Sequence, residues 1–600
     1  MARNGDTRRN GNGRALNTQQ AVNAAVKGIC DIMRRSNCAG ALQYVPELTW
    51  ILFLRILDER ETREAEEAEA VGAEFRPSLE SPYRWRDWAA SYDLQHFMDH
   101  PDDDTSPGWK RYQLTHHGAG VPEAYKSWIN AQLIPHVKGL RSRPNATPRQ
   151  KVISEIFSSV ERVRIDTERN LQEVLDRVHA LSEQAVDPTH VFPLSQVYEG
   201  LLLKMGEKGN DGGQFFTPRQ VIKAMVQAVN PTVGETVYDP GCGTAGFCAQ
   251  SYEHMLAALG DTGTAEQREA LKRRTFYGRE KDNVIYPIAL ANLVLHGVDQ
   301  PNLWHGNTLT GQETYGGLFQ DAPAQFDVIL TNPPFGGKEG KEAQTRFAYK
   351  TRATQVLFLQ HIIDSLKPGG RCGIVLDEGV LFRTNESAFL KTKRKLLDEC
   401  DLWCIVTLPP GTFVNAGAGV KTDLLFFTKG RPTERIWYCD LSGIKVGKKT
   451  PLTLAHFEEF FQLLPTRADS ERSWTVDLVA RRQLAAQEAE PIRHQARAKE
   501  QEAAQWRDRL AELKKAAPRG VKAITDAEQR AATLTKEARE LAGQAEDIEA
   551  TVYDLKAVNP HTRNDEDTRT PEELLDLIDA KGREIAEALA ALRSQQRAST

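Results

Sequence analysis

Six hundred residues are too many for one hydrophobic core, so the chain is expected to hold about two to four domains. Its composition, 40% hydrophobic and 26% charged, is that of an ordinary soluble protein, and a formal net charge of −5 excludes a globally basic binder of nucleic acid. Any contact with nucleic acid would use a local groove or a basic partner.

Residues 1–20 carry Arg3, Arg8, Arg9 and Arg14 against Asp6, are rich in Gly and Asn, and lack an apolar stretch. They read as a disordered arm, not a signal peptide. Residues 21–185 read as a helical N-terminal domain. Leu48, Ile51, Leu52 and Ile56 recur near helical spacing, and a last helix, about 147–184, is expected to carry Val152, Ile156, Val160 and Val163 on one stripe. The run from Trp50 to Leu57 is far short of the ~20 apolar residues a membrane span needs, and Arg55 interrupts it. Asp102-Asp103-Asp104 and His116-His117 read as loop rather than metal ligands. The eight cysteines include no Cys-x-x-Cys pair, and Cys400 and Cys404 read as core thiols, which suits a reducing cytoplasm.

From 186 to 435 strands alternate with helices, the signature of a doubly wound α/β sheet. Residues 436–480 read as a connector. From 481 to 552 the composition turns to Ala, Glu, Gln, Arg and Lys, with two long helical stretches flanking Pro518-Arg519-Gly520; this is a helical hairpin with weak heptads. The tail, 553–600, includes an N-cap at Thr570 with Pro571 after it, and Leu574, Leu577, Ile578 and Ile585 on an amphipathic helix that seeks a partner.

Chemistry concentrates at Asn332-Pro333-Pro334-Phe335, which follows the buried run Phe326–Thr331. Neither proline can donate to a sheet ladder, so the backbone must leave the strand in a rigid turn at its carboxyl end, where open α/β sheets bind ligands. Such a turn can aim the Asn332 side-chain oxygen and the Pro333 carbonyl at one point, with Phe335 beside them. Two acceptors and an aromatic face suit the exocyclic amine of a flat base.

Earlier in the same series, Thr236-Val237-Tyr238 leads into Asp239-Pro240-Gly241-Cys242-Gly243-Thr244-Ala245-Gly246, a G-x-G-x-x-G turn. Alone it would equally suggest a nicotinamide or flavin dinucleotide, and Glu280 follows at a longer interval than the ~20 residues usual there. Asp239 before the glycines, together with the proline turn on a later strand, favours S-adenosylmethionine beside a base. Gly443–Lys449 has the wrong spacing for a phosphate-binding P-loop.

In this order the motifs resemble the amino-methyltransferases of DNA, and more narrowly the modification subunits of type I restriction-modification systems. Gln214, Phe215, Phe216, Thr217, Pro218 and Arg219 resemble the family's segment that holds the methionine part of the donor. Asp239, Pro240, Gly241, Gly243 and Thr244 resemble its glycine loop, and Glu280 stands where the family has a ribose-binding acid. Asn307 falls near the donor adenine, where the wider class often has aspartate. Asn332, Pro333, Pro334 and Phe335 match the catalytic motif, and Gly419–Lys429 resembles the family's last strands.

The resemblance implies a doubly wound S-adenosylmethionine-dependent methyltransferase sheet with a helical N-terminal domain that closes over double-stranded DNA and a flipped target base. It also implies a C-terminal helix that packs on a specificity subunit, usually two copies of the chain per complex, and a nuclease or translocase subunit as a further candidate partner. Adenine N6 is the expected target. Cytosine N4, an RNA or protein-amide substrate, a related phage-defence system, a non-catalytic scaffold and a dehydrogenase are the competing readings.

Overall fold

Leu424-Leu425-Phe426-Phe427 shows how the centre of the molecule is built, because all four residues are buried. Leu424 and Phe426 belong to one apolar core, Leu425 and Phe427 to another, as expected of a strand covered on both faces. The structure, a computed structural model, describes residues 19–38, 40–116, 123–180, 217–313, 322–413, 421–447, 450–516 and 521–561, with residues 581 and 583. Residues 1–18 of the expected arm (1–20), Gln214, Phe215 and Phe216, the Pro518 turn and the tail helix from Thr570 lie outside the described residues, except for Lys581 and Arg583. Gln19 and Gln20 open the helix Gln19–Arg35 and are not part of an arm. The chain up to Ala557 forms one compact unit and Val558–Thr600 a second.

Among the described residues, ten strands form one mixed sheet: β1 (Val237–Asp239), β2 (Phe276–Glu280), β3 (Asn302–Asn307), β4 (Gln312–Glu313), β5 (Phe326–Thr331), β6 (Leu366–Asp377), β7 (Cys400–Thr407), β8 (Thr422–Lys429), β9 (Arg435–Asp440) and β10 (Ser473–Asp477). Their order is β10-β9-β7-β8-β6-β5-β1-β2-β3-β4. The neighbours β6, β5, β1, β2 and β3 are parallel, whereas β8 runs antiparallel between β6 and β7. The chain builds outward from β1 to β3, then returns to lay β5 on the other side of β1. The crevice beyond the carboxyl ends of β1 and β5 is therefore a topological switch point.

The sheet does not end at 435. β9 pairs with β7 and β10 with β9, so the segment expected as a connector, 436–480, carries the last strands. The apolar stretch Ile436-Trp437-Tyr438-Cys439 is short and bounded by charges, which hides it from a periodicity reading.

Helices Arg219–Val229, Gly246–Leu259 and Ile285–Leu295 share the first core with the N-terminal helices, and Thr354–Ser365 and Ser387–Glu399 share the second. All residues of Ile285–Leu295 are buried, because the N-terminal domain covers it. Arg60 on helix Ala41–Ala70 donates to the Val294 carbonyl at 3.0 Å and pairs with Asp299, and Arg149 reaches Asp299 at 3.2 Å. The expected helix 147–184 is instead two helices, Pro148–Ile156 and Glu168–His179. Thr147 and Thr167 each cap one of them, and Val160 and Val163 lie in the connection, where the Val163 N–H donates to Asn130 Oδ1 at 2.8 Å.

Helices Leu478–Ala516 and Val521–Ala550 lie antiparallel along a seam of Ala489, Ala496 and Ala503 against Ala531, Ala538 and Ala545. No helix among the described residues is long and apolar enough to cross a membrane.

Candidate active site

Strand β1 ends at Asp239, and the chain turns through Pro240 to Gly246 into the helix behind it. Gly243 adopts φ 52°, a left-handed conformation that glycine takes without strain, and Ala245 adopts φ 61°, where its Cβ carries a cost; together they let the loop fold tightly over the strand ends. The loop is tied on three sides. The Cys242 N–H donates to the Arg279 carbonyl on β2 at 2.9 Å, the Gly243 N–H to Glu280 Oε2 at 3.0 Å, and the Thr308 hydroxyl to the Pro240 carbonyl at 2.5 Å. From behind, Asn292 Nδ2 donates to the Thr244 carbonyl at 2.8 Å. Gly278 makes room for this arrangement, since a Cβ there would stand 2.6 Å from Leu303 and 3.1 Å from Cys242 Sγ.

Two carboxyl groups line this loop. Asp239 Oδ1 accepts from the Gly241 N–H at 3.2 Å, and burial pushes its carboxyl up to about 7. Burial likewise raises Glu280 to about 7, although the N–H groups of Asp282 and Gly243 both favour its ionised form. These are acids kept dry at the end of a sheet, able to accept hydrogen bonds from a polar ligand. Asn307 Oδ1 accepts from the Leu309 N–H at 2.9 Å and so shapes the turn after β3.

Beside the loop, Asn332 leaves β5. Its Nδ2 donates to Thr217 Oγ1 at 3.0 Å, whereas its Oδ1 is buried and has no hydrogen-bond partner among the described residues. A buried acceptor left without a donor costs free energy, and a donor arriving here would relieve that cost. Pro333 is buried, and the half-buried Phe335 meets Phe413 edge to face, ring centroids 5.3 Å apart. Phe413, far along the chain in the loop after β7, escaped the sequence reading. So did Arg346, whose Nη1 donates to the carbonyls of Thr308 and Leu309. Neither lies in a local motif.

The structure thus gathers Asp239, Pro240, Gly241, Gly243, Thr244, Glu280 and Asn307 around one loop, and Thr217 on Asn332. Pro218 caps the helix Arg219–Val229. The Arg219 guanidinium lies 3.5 Å from Glu253, and burial pulls its pKa down. Asp103 lies in a turn, accepting from Thr105, Ser106 and His96. No group of three or more potential metal ligands occurs among the described residues.

Residues 190–501 match the N-6 DNA Methylase family, and residues 22–103 match the HsdM N-terminal domain. The chain belongs to the N-6 DNA methylase family. It is similar to the type I restriction enzyme EcoEI methylase subunit of Escherichia coli, 31% identical over 480 residues, covering 77% of this chain and 89% of that protein. The EcoKI methylase subunit of Escherichia coli K12 is 35% identical over 278 residues, 44% of this chain and 51% of that one. Among solved structures, a modification subunit assigned to a type I restriction enzyme from Vibrio vulnificus YJ016 superposes with a TM-score of 0.63 at 30% identity, over 78% of this chain and 93% of that one. A chain of a type I R-M system, solved for its complex assembly and conformational transition, gives 0.61 at 31% identity over 97% and 100%. As a member of this family, the protein is a DNA adenine-N6 methyltransferase subunit of a type I restriction-modification system. That membership implies S-adenosylmethionine as methyl donor and DNA as the substrate.

Proposed function

We propose that this subunit transfers a methyl group to adenine N6 at the crevice between Asn332 and the glycine loop, with the base turned out of the duplex. The buried, unpaired Asn332 Oδ1 carries this reading. Asn332 Oδ1 and the Pro333 carbonyl accept the two N6–H hydrogens and orient the nitrogen lone pair. As positive charge develops on nitrogen, the same two acceptors stabilise it. Pro333 and Pro334 hold the turn rigid. Phe335 stacks on the base, offsetting part of the unstacking cost by roughly 1–3 kcal/mol. The amine is itself the nucleophile, so its proton leaves to water after transfer and no general base is required.

The residues present fit S-adenosylmethionine. Glu280 suits a ribose diol, the strand-end turn at Asn307 an adenine edge, and Asp239 with Thr217 the charged amino-acid end. When bound, the donor supplies an electrophilic methyl group. The sequence is read by a separate specificity subunit, engaged through the C-terminal tail, in a complex that holds a second copy of the chain and that a nuclease or translocase subunit can join.

Asn332→Ala, tested in the assembled complex, is expected to abolish transfer of tritiated methyl while calorimetry still detects the donor. Substantial transfer by the variant would remove Asn332 from catalysis. Nucleoside mass spectrometry showing N4-methylcytosine would overturn the base assignment alone. Deleting 565–600 should prevent co-purification with the specificity subunit, and assembly of the truncated chain would refute the tail's role.

A further inference from the structure

An asparagine amide can present either its oxygen or its NH2 to a substrate, and only the oxygen can accept from an adenine amine. We infer that Thr217 is the positioning residue that fixes this choice, an inference that rests on Asn332 being the catalytic acceptor. Thr217 Oγ1 lies 3.0 Å from Asn332 Nδ2 and accepts from it, which leaves Oδ1 as the atom without a partner. The two residues come from distant parts of the chain. Thr217 stands at the foot of helix Arg219–Val229, and Asn332 at the end of β5. The short contact is therefore a product of the fold and not of local geometry.

A hydroxyl has one hydrogen and two lone pairs. While Thr217 accepts from Asn332, its own hydrogen remains to be donated. The carboxylate of the donor's amino-acid end is an acceptor of the right chemistry for a hydroxyl beside that end of the site. With the hydrogen so engaged, Thr217 can only accept from the amide, and Asn332 is locked with its oxygen toward the base. Donor occupancy and base capture are thereby coupled through one hydroxyl.

The test compares Thr217→Val, which keeps the shape and loses the hydroxyl, with Thr217→Ser, which keeps the hydroxyl. Both are measured in the complex with the specificity subunit, in single turnover at saturating S-adenosylmethionine. Thr217→Val is expected to slow methyl transfer by about ten- to a hundredfold at saturating donor, and Thr217→Ser to restore it to within about threefold. DNA carrying 2-aminopurine at the target adds a second readout: S-adenosylhomocysteine should enhance its fluorescence in the parent and serine complexes and much less in the valine complex. Donor calorimetry and a melting curve exclude a valine variant that has merely unfolded, and Thr217→Ala then takes its place. An unchanged saturated rate in the hydroxyl-free variant, with Asn332→Ala inactive, overturns the inference and leaves the catalytic reading intact. A serine variant as slow as valine overturns it as well. Activity in Asn332→Ala would instead overturn the catalytic reading itself.

Discussion

Arg346 Nη1 donates to the Leu309 carbonyl at 2.8 Å, joining the segment after Asn-Pro-Pro-Phe to the turn that ends β3. The same nitrogen reaches the Thr308 carbonyl at 3.3 Å, and Thr308 in turn holds Pro240. The guanidinium fills the space beside Gly311, where a Cβ would stand 2.7 Å from it and where φ is 68°. One arginine thus steadies the turn at Asn307 and, through Thr308, the glycine loop. Arg346→Ala is expected to weaken S-adenosylmethionine binding by about tenfold, the loss of a charge-assisted hydrogen bond. Calorimetry on the purified chain reads this directly. Unaltered affinity would mean that the turn holds itself through Asn307.

Donor binding should also depend on pH. Asp239 and Glu280 are both raised by burial to about 7, well above free carboxyl groups. The folded chain therefore holds these protons more tightly than the unfolded chain does. Their contribution to stability is full below about pH 4 and is lost as pH rises through about 7. Glu47 and Asp423, raised to about 7 by burial as well, add to the same window. A donor whose hydroxyl and ammonium groups pair with the ionised carboxylates reverses the balance locally and expels protons. Calorimetry near pH 7 in buffers of different ionisation enthalpy should show net proton release, and affinity should rise from pH 6 to pH 8. Glu280→Gln should reduce both effects. Binding without proton exchange would show that the carboxyls stay neutral in the complex.

The N-terminal domain is clamped by charge. Burial works to raise the Asp299 carboxyl, but Arg60 and Arg149 outweigh it and hold it below the usual range. Arg149 also grips Glu64 at 2.6 and 3.0 Å. Asp299→Ala leaves two half-buried arginines with less counter-charge, and should cost about 1–3 kcal/mol. The expected result is a lower melting temperature and greater proteolysis between the N-terminal helices and the sheet. Because Asp299 is depressed, its contribution holds above about pH 4 and is lost as pH falls through its lowered pKa. A variant with the parent's melting curve at pH 7 would assign the docking to apolar contacts alone.

How far the sequence disclosed this architecture depended on whether the signal was local. The strand Phe326–Thr331, the glycine turn and the two prolines announce themselves because each residue's own chemistry dictates the backbone there. Helix Ile285–Leu295 is apolar on every face but for Asn292, a sign of complete burial, though nothing in it names the domain that covers it. Strands β9 and β10 were hidden by their brevity and flanking charges, and the break between Ile156 and Glu168 by valines that fit a helical stripe. The insertion of β8 between β6 and β7, and the meetings of Phe413 with Phe335 and of Thr217 with Asn332, are tertiary facts with no local trace.

The hairpin offers the last prediction, because its heptads are weak only in hydrophobicity. Ala489, Ala496 and Ala503 recur every seventh residue on one helix, Ala531, Ala538 and Ala545 on the other, and all six are buried. Side chains this small let two helices approach closely, and Lys499–Glu537 at 2.8 Å and Lys514–Glu528 at 2.6 Å then bridge the seam. Such exposed pairs contribute little each, so close packing of the alanines must supply most of the cohesion. At its base the hairpin is fixed by Arg481, which donates to the carbonyls of Thr551 and Asp554, and by Arg482 on Asp398. Ala538→Leu inserts a branched side chain where the facing helix leaves no room, an overpacking cost of about 1–3 kcal/mol. The strain falls beyond the anchored base, so the helices should splay there while the sheet keeps its packing. Hydrogen exchange is expected to quicken in residues 490–540 and to stay unchanged in β1, β5 and the glycine loop, with donor affinity preserved. Equal protection of the hairpin in parent and variant would show that the seam is looser than its alanines imply. Loss of protection in the sheet would show that the hairpin and the catalytic core unfold as one.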